Sequence, residues 1–276
     1  MSEARTGERV RETRETRIAV SVNLDGTGEA TIATGVGFYD HLLSSLAHHS
    51  LIDIEMKAVG DIEIDDHHTV EDVALALGGA ISDALGDRTG ITRFGAARVP
   101  MDESLASCAL DLSNRPYAVI DLPFRADRMG ELSTQMVEHA LYSFAQASGA
   151  TLHVEGRGRN DHHLAEAAFK ALARALRMAV APDPRRSGVA STKGSLPTDG
   201  RGTRASPSGW LSSTMAPATS SVFVTPCGSS GPRSTWPKRP RSLTVPRSSS
   251  SPASVPARRP WVASGARGWS SPSSSA

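Results

Sequence analysis

Thiols are nearly missing from this chain of 276 residues. Its two cysteines, Cys108 and Cys227, lie far apart in compositionally different parts of the chain, which argues against a disulfide framework and a thiolate metal site. Long apolar runs are also lacking, so no segment is expected to span a bilayer. The opening "MSEARTGERVRETRETR" is charged and has no apolar stretch, so no secretory leader is expected. A reducing, cytoplasmic setting is expected.

Other absences are local. Residues 197–276 hold no histidine and a single acid, Asp199, beside ten Lys/Arg, a charge of +9. The whole chain carries +1, so the part before it carries +1 − 9 = −8. All four tryptophans and twelve of the seventeen prolines fall in the last eighty residues, and all nine histidines fall before them. The chain therefore divides into a domain over 1–196 and a Ser/Pro/Arg-rich tail over 197–276. Such a tail buries too little apolar surface to offset the entropy of ordering, so disorder is expected there. Basic charge can attract phosphates, but the tail has neither regular aromatic interleaving nor a folded motif. Nucleic acid is not expected as a partner.

Within 1–196 the hydrophobic pattern changes period repeatedly. The first ten or so residues read as frayed. "RIAVSVNLD" alternates, with Ile18, Val20, Val22 and Leu24 on one face, as a half-buried strand does. "DGTG" follows as a turn, and "EATIAT" reads as the hairpin partner. "FYDHLLSSLAHHS" is helical. "LIDIEMKAVG" and "DIEI" have strand character. "HHTVEDVALALGGAISDALG" is a helix with Val70, Val73, Leu77 and Ile81 as its buried stripe and Gly86 as its stop. Later come strands in "GAARVPMDESLASCALDLS" and "YAVIDLPF", a helix in "STQMVEHALYSFAQASG", a strand in "ATLHVEG" and a helix in "DHHLAEAAFKALARALRMAV". The order helix, strand, histidine-doublet helix thus occurs twice. These features imply an internally duplicated α+β fold, with repeats over about 9–93 and 94–196. Each half should be a small, mostly antiparallel sheet packed on two helices.

The doublets carry the chemistry. "DDHHTVED" places Glu71 four residues after His67, and "NDHHLAEA" places Glu166 four residues after His162. Residues four apart share a helix face, so each such pair can grip one metal ion. His68 and His163 diverge from those faces and can reach other ions. A lone histidine precedes each doublet on the previous helix, His41 and His139. Repeat symmetry then gives two equivalent sets. One is His41, His68, His162 and Glu166, and the other is His67, Glu71, His139 and His163. Three imidazoles and a carboxylate suit Mn, Fe, Zn, Co or Ni, and open positions favour Mn²⁺ over a closed zinc site. Asp66 and Asp161 are the expected partners of the rings' other nitrogens. "VNLDGTG" is similar to a phosphatase loop, but Asn23 stands where the nucleophile would be, and a turn at Asp25-Gly26 explains it.

"FYDHLLSSLAHHS", "GDIEIDDHHTVEDVALALG", "STQMVEHALYSFA" and "GRNDHHLAEAAFKALARALR" closely resemble the imidazoleglycerol-phosphate dehydratase family. "RETRET", "RFG", "NRP" and "DPRRSGVASTKGSL" match as well, so the resemblance covers about residues 9–196. It implies two Mn²⁺ ions per active site and a homo-oligomer of 24 subunits with sites at their interfaces. The reaction it implies belongs to histidine biosynthesis. D-erythro-1-(imidazol-4-yl)glycerol 3-phosphate would lose water to give 3-(imidazol-4-yl)-2-oxopropyl phosphate, through an imidazolate. By the same resemblance Glu15 is the acid/base, His49 contacts substrate, and Arg93, Arg115, Ser191 and Lys193 hold it. Family members of this type finish near "STKGSL", and the Ser, Pro, Arg, Ala and Gly bias of the remaining eighty residues leads to the expectation that a shifted reading frame or a sequencing error removed the natural stop.

Overall fold

The computed structural model of the chain describes residues 4–197. The tail expected over 197–276 lies outside them, Pro197 apart.

The first half contains β1 (Thr6–Glu12), β2 (Thr16–Asn23), β3 (Ala30–Ala33), α1 (Gly37–Ser50), β4 (Asp53–Gly60) and α2 (His67–Leu85). The second contains β5 (Phe94–Met101), β6 (Ser104–Asp111), β7 (Tyr117–Asp121), a short β8–β9 ribbon (Arg128–Met129, Leu132–Ser133), α3 (Thr134–Ser148), β10 (Thr151–Arg157) and α4 (Asp161–Val180). The sheet orders are β1-β2-β4-β3 and β5-β6-β10-β7. In each, the first two junctions are antiparallel and the last is parallel. The duplication extends to single contacts. A Cβ on Gly7 of β1 would meet the Ala80 carbonyl of α2, and one on Gly95 of β5 would meet the Ala175 carbonyl of α4. The offsets are 95 − 7 = 88 between the strands and 175 − 80 = 95 between the helices. Only residues without a side chain let a strand lie so close to a helix.

The expected apolar stripes are buried as read. Ile18, Val20, Val22 and Leu24 face inward from β2 and its end, and Val70, Val73, Leu77 and Ile81 face inward from α2. Gly86, at φ 54°, ends α2 in a backbone region that other residues disfavour. Alanine at seven buried positions of α4, among them Ala168, Ala171 and Ala175, lets that helix lie close to both β5–β6 and α1. Burying such apolar stripes contributes roughly 25 cal/mol per Å² removed from water.

Helix pairing crosses between the halves. α1 lies against α4, and α2 lies against α3. Each histidine-doublet helix therefore meets the lone-histidine helix of the other repeat. Among the described residues, no helix is long and apolar enough to cross a membrane.

Three local expectations are corrected. The N-terminal segment is the ordered edge strand β1, held by its ladder to β2 and by Gly7, Arg9 and Arg11 against α2, although it buries no apolar stripe; Val10 on it is 72% exposed. "EATIAT" does not pair back with β2. Its strand β3 runs parallel to β4, because β2 already has β1 and β4 as neighbours. "DIEI" is a turn closed by the Ile64 amide donating to the Asp61 carbonyl, with Ile62 and Ile64 exposed. Its alternation has no partner strand to use it.

Candidate metal centre

Two clusters of residues that could hold a metal ion come together among the described residues, one at each junction between the halves. His41 of α1 meets His162 and Glu166 of α4, and His139 of α3 meets His67 and Glu71 of α2. Within each trio the ligand atoms lie within 4.8 Å of one another. Each carboxylate stands between two imidazoles. Glu166 Oε2 is 3.4 Å from Nε2 of both His41 and His162. Glu71 Oε2 is 3.5 Å from His67 Nε2 and 3.6 Å from His139 Nε2. These spacings are long for hydrogen bonds. They suit donors sharing a cation, since neighbouring ligands about 2.1 Å from one ion lie roughly 3.0–3.4 Å apart. His139 Nε2 is buried with no hydrogen-bond partner, a cost that a bound ion would remove. The donor sets and this orphaned nitrogen fit divalent metal ions.

The two centres differ in their surroundings. Lys170, one turn beyond Glu166, places Nζ 2.7 Å from Glu166 Oε1; the matching position after Glu71 is Leu75. Burial pushes the Glu166 carboxyl up, but Lys170 and then His41 outweigh it and hold it below the usual carboxylate range. The Glu166 side chain is 10% exposed and the Glu71 side chain 36%. Phe38 packs against His162, with ring centroids 4.7 Å apart.

His68 and His163 do not join either trio within one copy. His68 Nδ1 is 3.0 Å from Asp61 Oδ2, and His163 Nδ1 is 2.9 Å from Glu103 Oε2. Both rings are pushed to a higher pKa, His68 chiefly by the Asp61 hydrogen bond and His163 chiefly by the Glu103 hydrogen bond. Glu103 is driven far below the usual range by His163 first and the Asn160 amide second.

Asp61 and Glu103, not Asp66 and Asp161, are thus the ring partners. Asp66 is turned inward and accepts from the Ser133 amide and hydroxyl. Asp161 accepts from the Arg125 and Ala126 amides. Both carboxylates are taken up by backbone donors before they can reach a ring. Neither Asp61 nor Glu103 showed in the periodicity, because each sits in a turn, and Glu103 is 60 residues from its partner.

Glu15 lies in the β1–β2 turn. Thr13 Oγ1 accepts the Glu15 and Thr16 amides there. Thr16 Oγ1 donates to Asp72 of α2, 2.5 Å away, so the turn is tied to the doublet helix. The charge of Glu15 is felt at the His68 ring. His49 is half-buried at the end of α1, and its pKa is lowered by burial first and by Lys170 next.

Arg93 and Arg115 meet at Asp111. Arg93 donates to Asp111 Oδ1 at 2.6 Å and to the Ala190 carbonyl, and it is 7% exposed. Arg115 reaches Asp111 Oδ2 at 3.3 Å and is exposed. The Gly90–Gly188 and Thr92–Ala181 backbone bonds fold the segment after α4 onto the linker before β5. Arg93 thus meets that segment at the Ala190 carbonyl, next in sequence to Ser191, whose Oγ accepts the Lys193 amide.

A profile of the imidazoleglycerol-phosphate dehydratase family matches residues 34–176. The chain belongs to this family. The imidazoleglycerol-phosphate dehydratase of Zymomonas mobilis is 55% identical over 188 residues, covering 67% of this chain and 96% of that protein. The one from Acidiphilium cryptum is 52% identical over 195 residues, covering 70% and 100%. Among solved structures, the imidazoleglycerol-phosphate dehydratase of Pyrococcus furiosus superposes with a TM-score of 0.60 at 34% identity, covering 68% of this chain and all of that one. The Staphylococcus aureus dehydratase gives 0.59 at 31%, covering 64% and 99%. Dehydratases of this family are carbon–oxygen lyases, and about eighty residues of this chain (276 − 195 = 81) have no counterpart in those relatives.

Proposed function

We propose that this family member dehydrates D-erythro-1-(imidazol-4-yl)glycerol 3-phosphate to 3-(imidazol-4-yl)-2-oxopropyl phosphate in histidine biosynthesis, with two divalent ions, Mn²⁺ by preference, in its active site. The observation that carries the metal reading is the pair of matching His-His-Glu clusters built across the halves, with His139 Nε2 left unpartnered. His41, His162 and Glu166 would hold one ion, and His67, Glu71 and His139 the other. His68 and His163 would complete these sets from neighbouring copies, in keeping with an assembly of 24 subunits with sites at its interfaces. Their separation from both trios in one copy supports that reading.

The proton to be removed sits on a carbon with no carbonyl beside it, so the substrate's own ring must take up the charge. Divalent ions held by the two clusters would supply that capacity by stabilising negative charge on the ring. Glu15, whose carboxylate has no hydrogen-bond partner among the described residues, is the group to move the carbon-bound proton. Departure of hydroxide with that proton leaves an enol, which becomes the ketone. His49 would contact the substrate beside α1. Arg93, Arg115, Ser191 and Lys193 would grip the phosphate, with Arg93 also paired with Asp111 and bonded to the Ala190 carbonyl next to Ser191.

The test is anaerobic metal removal followed by Mn²⁺ add-back, with product enol followed in the ultraviolet. Dehydration should vanish on stripping and return with the ion. A rate untouched by stripping would refute the metal reading.

A further inference from the structure

The two doublets treat their histidines differently. The first histidine of each, His67 or His162, meets its cluster carboxylate through Nε2. The second, His68 or His163, meets a different carboxylate through Nδ1. A carboxylate only accepts, so Nδ1 must carry the proton in both rings. A neutral imidazole protonated at Nδ1 has its lone pair on Nε2, where a cation can take it.

The duplication shows that this contact arises in two ways. β2 and β6 begin at Thr16 and Ser104, both buried, 104 − 16 = 88 residues apart. That is the offset between Gly7 and Gly95, so Glu15 and Glu103 hold the same place in the two hairpins. In the second half the hairpin glutamate itself holds the ring. Glu103 Oε2 takes His163 Nδ1, while Oε1 accepts from the Arg159 and Asn160 amides at the start of α4. In the first half a loop aspartate does so. Asp61 follows β4 directly, its carboxylate is 15% exposed, and His68 is its hydrogen-bond partner. A helix-capping requirement would not produce this pattern, because Asp61 caps nothing, and the α2 start is served by Asp65 accepting from the His67 amide. What the halves share is a fixed Nδ1 on the second histidine.

We propose that Asp61 and Glu103 are positioning residues that lock His68 and His163 with Nε2 free for a divalent cation, and that Asp61, by taking this duty in the first half, leaves Glu15 unengaged. The inference rests on the cation sites proposed above. Partners of this kind set ligand basicity and orientation, and their loss typically weakens metal binding about 10–100-fold.

Mn²⁺ alone is titrated into the stripped full-length chain, and free Mn²⁺ is read by electron paramagnetic resonance. The wild type should bind two ions per chain. Asp61→Ala should weaken one of them about 10–100-fold, Asp61→Asn should restore most of that loss, and the melting temperature of the metal-free protein should be the same in both. Binding of both ions by Asp61→Ala at wild-type affinity would overturn the inference and leave the cation sites standing. A wild type that binds no Mn²⁺ would overturn both. A second measurement needs no variant. Nitrogen-15 spectra of histidine rings in the metal-free wild type should show two rings protonated at Nδ1, and their absence would refute the lock.

Discussion

His41 Nε2 and Glu166 Oε2 stand 3.4 Å apart although one belongs to the first repeat and the other to the second. The same exchange brings His139 to Glu71 at 3.6 Å. Neither half contains a complete cluster of its own. Packing α1 on α4 and α2 on α3 makes the sites and the interior of the domain one construction.

Loss of one carboxylate should therefore empty one centre and spare the other. Glu166→Gln removes the anion shared by His41 and His162, while His67, Glu71 and His139 remain. Bound Mn²⁺ should fall from two ions to one per chain by equilibrium dialysis, and dehydration should fall at least about 100-fold. Glu71→Gln should do the same at the other centre. Retention of both ions in either variant would contradict the assignment.

Glu15 has no side-chain hydrogen bond to lose, and its turn is held by Thr13 and Thr16. Glu15→Gln should then leave melting temperature and Mn²⁺ content unchanged. If Glu15 moves the carbon-bound proton, kcat should fall by about 10²–10⁴, with KM little altered. A variant within threefold of wild-type kcat would remove Glu15 from that role.

Much of this architecture was legible because long helices repeat their apolar residues at 3.6. The α2 stripe and its Gly86 stop, and both His-x-x-x-Glu pairs, follow from spacing alone. The duplicated order of elements was legible for the same reason. β1 was not, because "GERVRE" has charges where an apolar face would show, and its order comes from the ladder to β2 and from Gly7, Arg9 and Arg11 meeting α2. The parallel pairing of β3 with β4 was hidden by the intervening helix. Asp61 and Glu103 were hidden because turn residues have no period, whereas Asp66 and Asp161, next to the doublets in sequence, are occupied by backbone amides.

Asp53 gives a pH-dependent contribution to stability. Burial raises its pKa, but the Glu29, Thr27 and Gly28 amides, together with Asn23, outweigh burial and lower it overall. Those three amides donate to Oδ1 at 2.8–3.0 Å. A depressed folded-state pKa means that the unfolded chain binds the proton more readily. The stabilisation is thus full above the ordinary Asp value of about 3.9 and is lost as pH falls through the lower folded value. Asp53→Ala should cost about 1–3 kcal/mol at pH 7. In paired thermal melts of the two proteins, the gap should hold down to about pH 4 and close below it. A gap that widened on acidification would reverse the sign of this account.

The close approach of strand to helix is the most sensitive point in the packing. A Cβ at Gly95 would lie 1.8 Å from the Ala175 carbonyl oxygen, and at Gly7 2.1 Å from the Ala80 oxygen. Both obstacles are backbone, so neither can swing aside as a side-chain end would. Relief requires moving β5 off α4, which also carries His162 and Glu166. Gly95→Ala should therefore destabilise the fold by about 1–3 kcal/mol or more and loosen the Glu166 centre as well. Gly86→Ala is the contrast, since nothing lies within 4 Å of its added carbon and its cost comes from φ 54° alone. If the interlocked helices and sheets explain why the centres form, Gly95→Ala should lower Mn²⁺ affinity at one centre, whereas Gly86→Ala should lower the melting temperature and leave affinity as it was. Equal effects of the two variants on metal binding would break the link between packing and site.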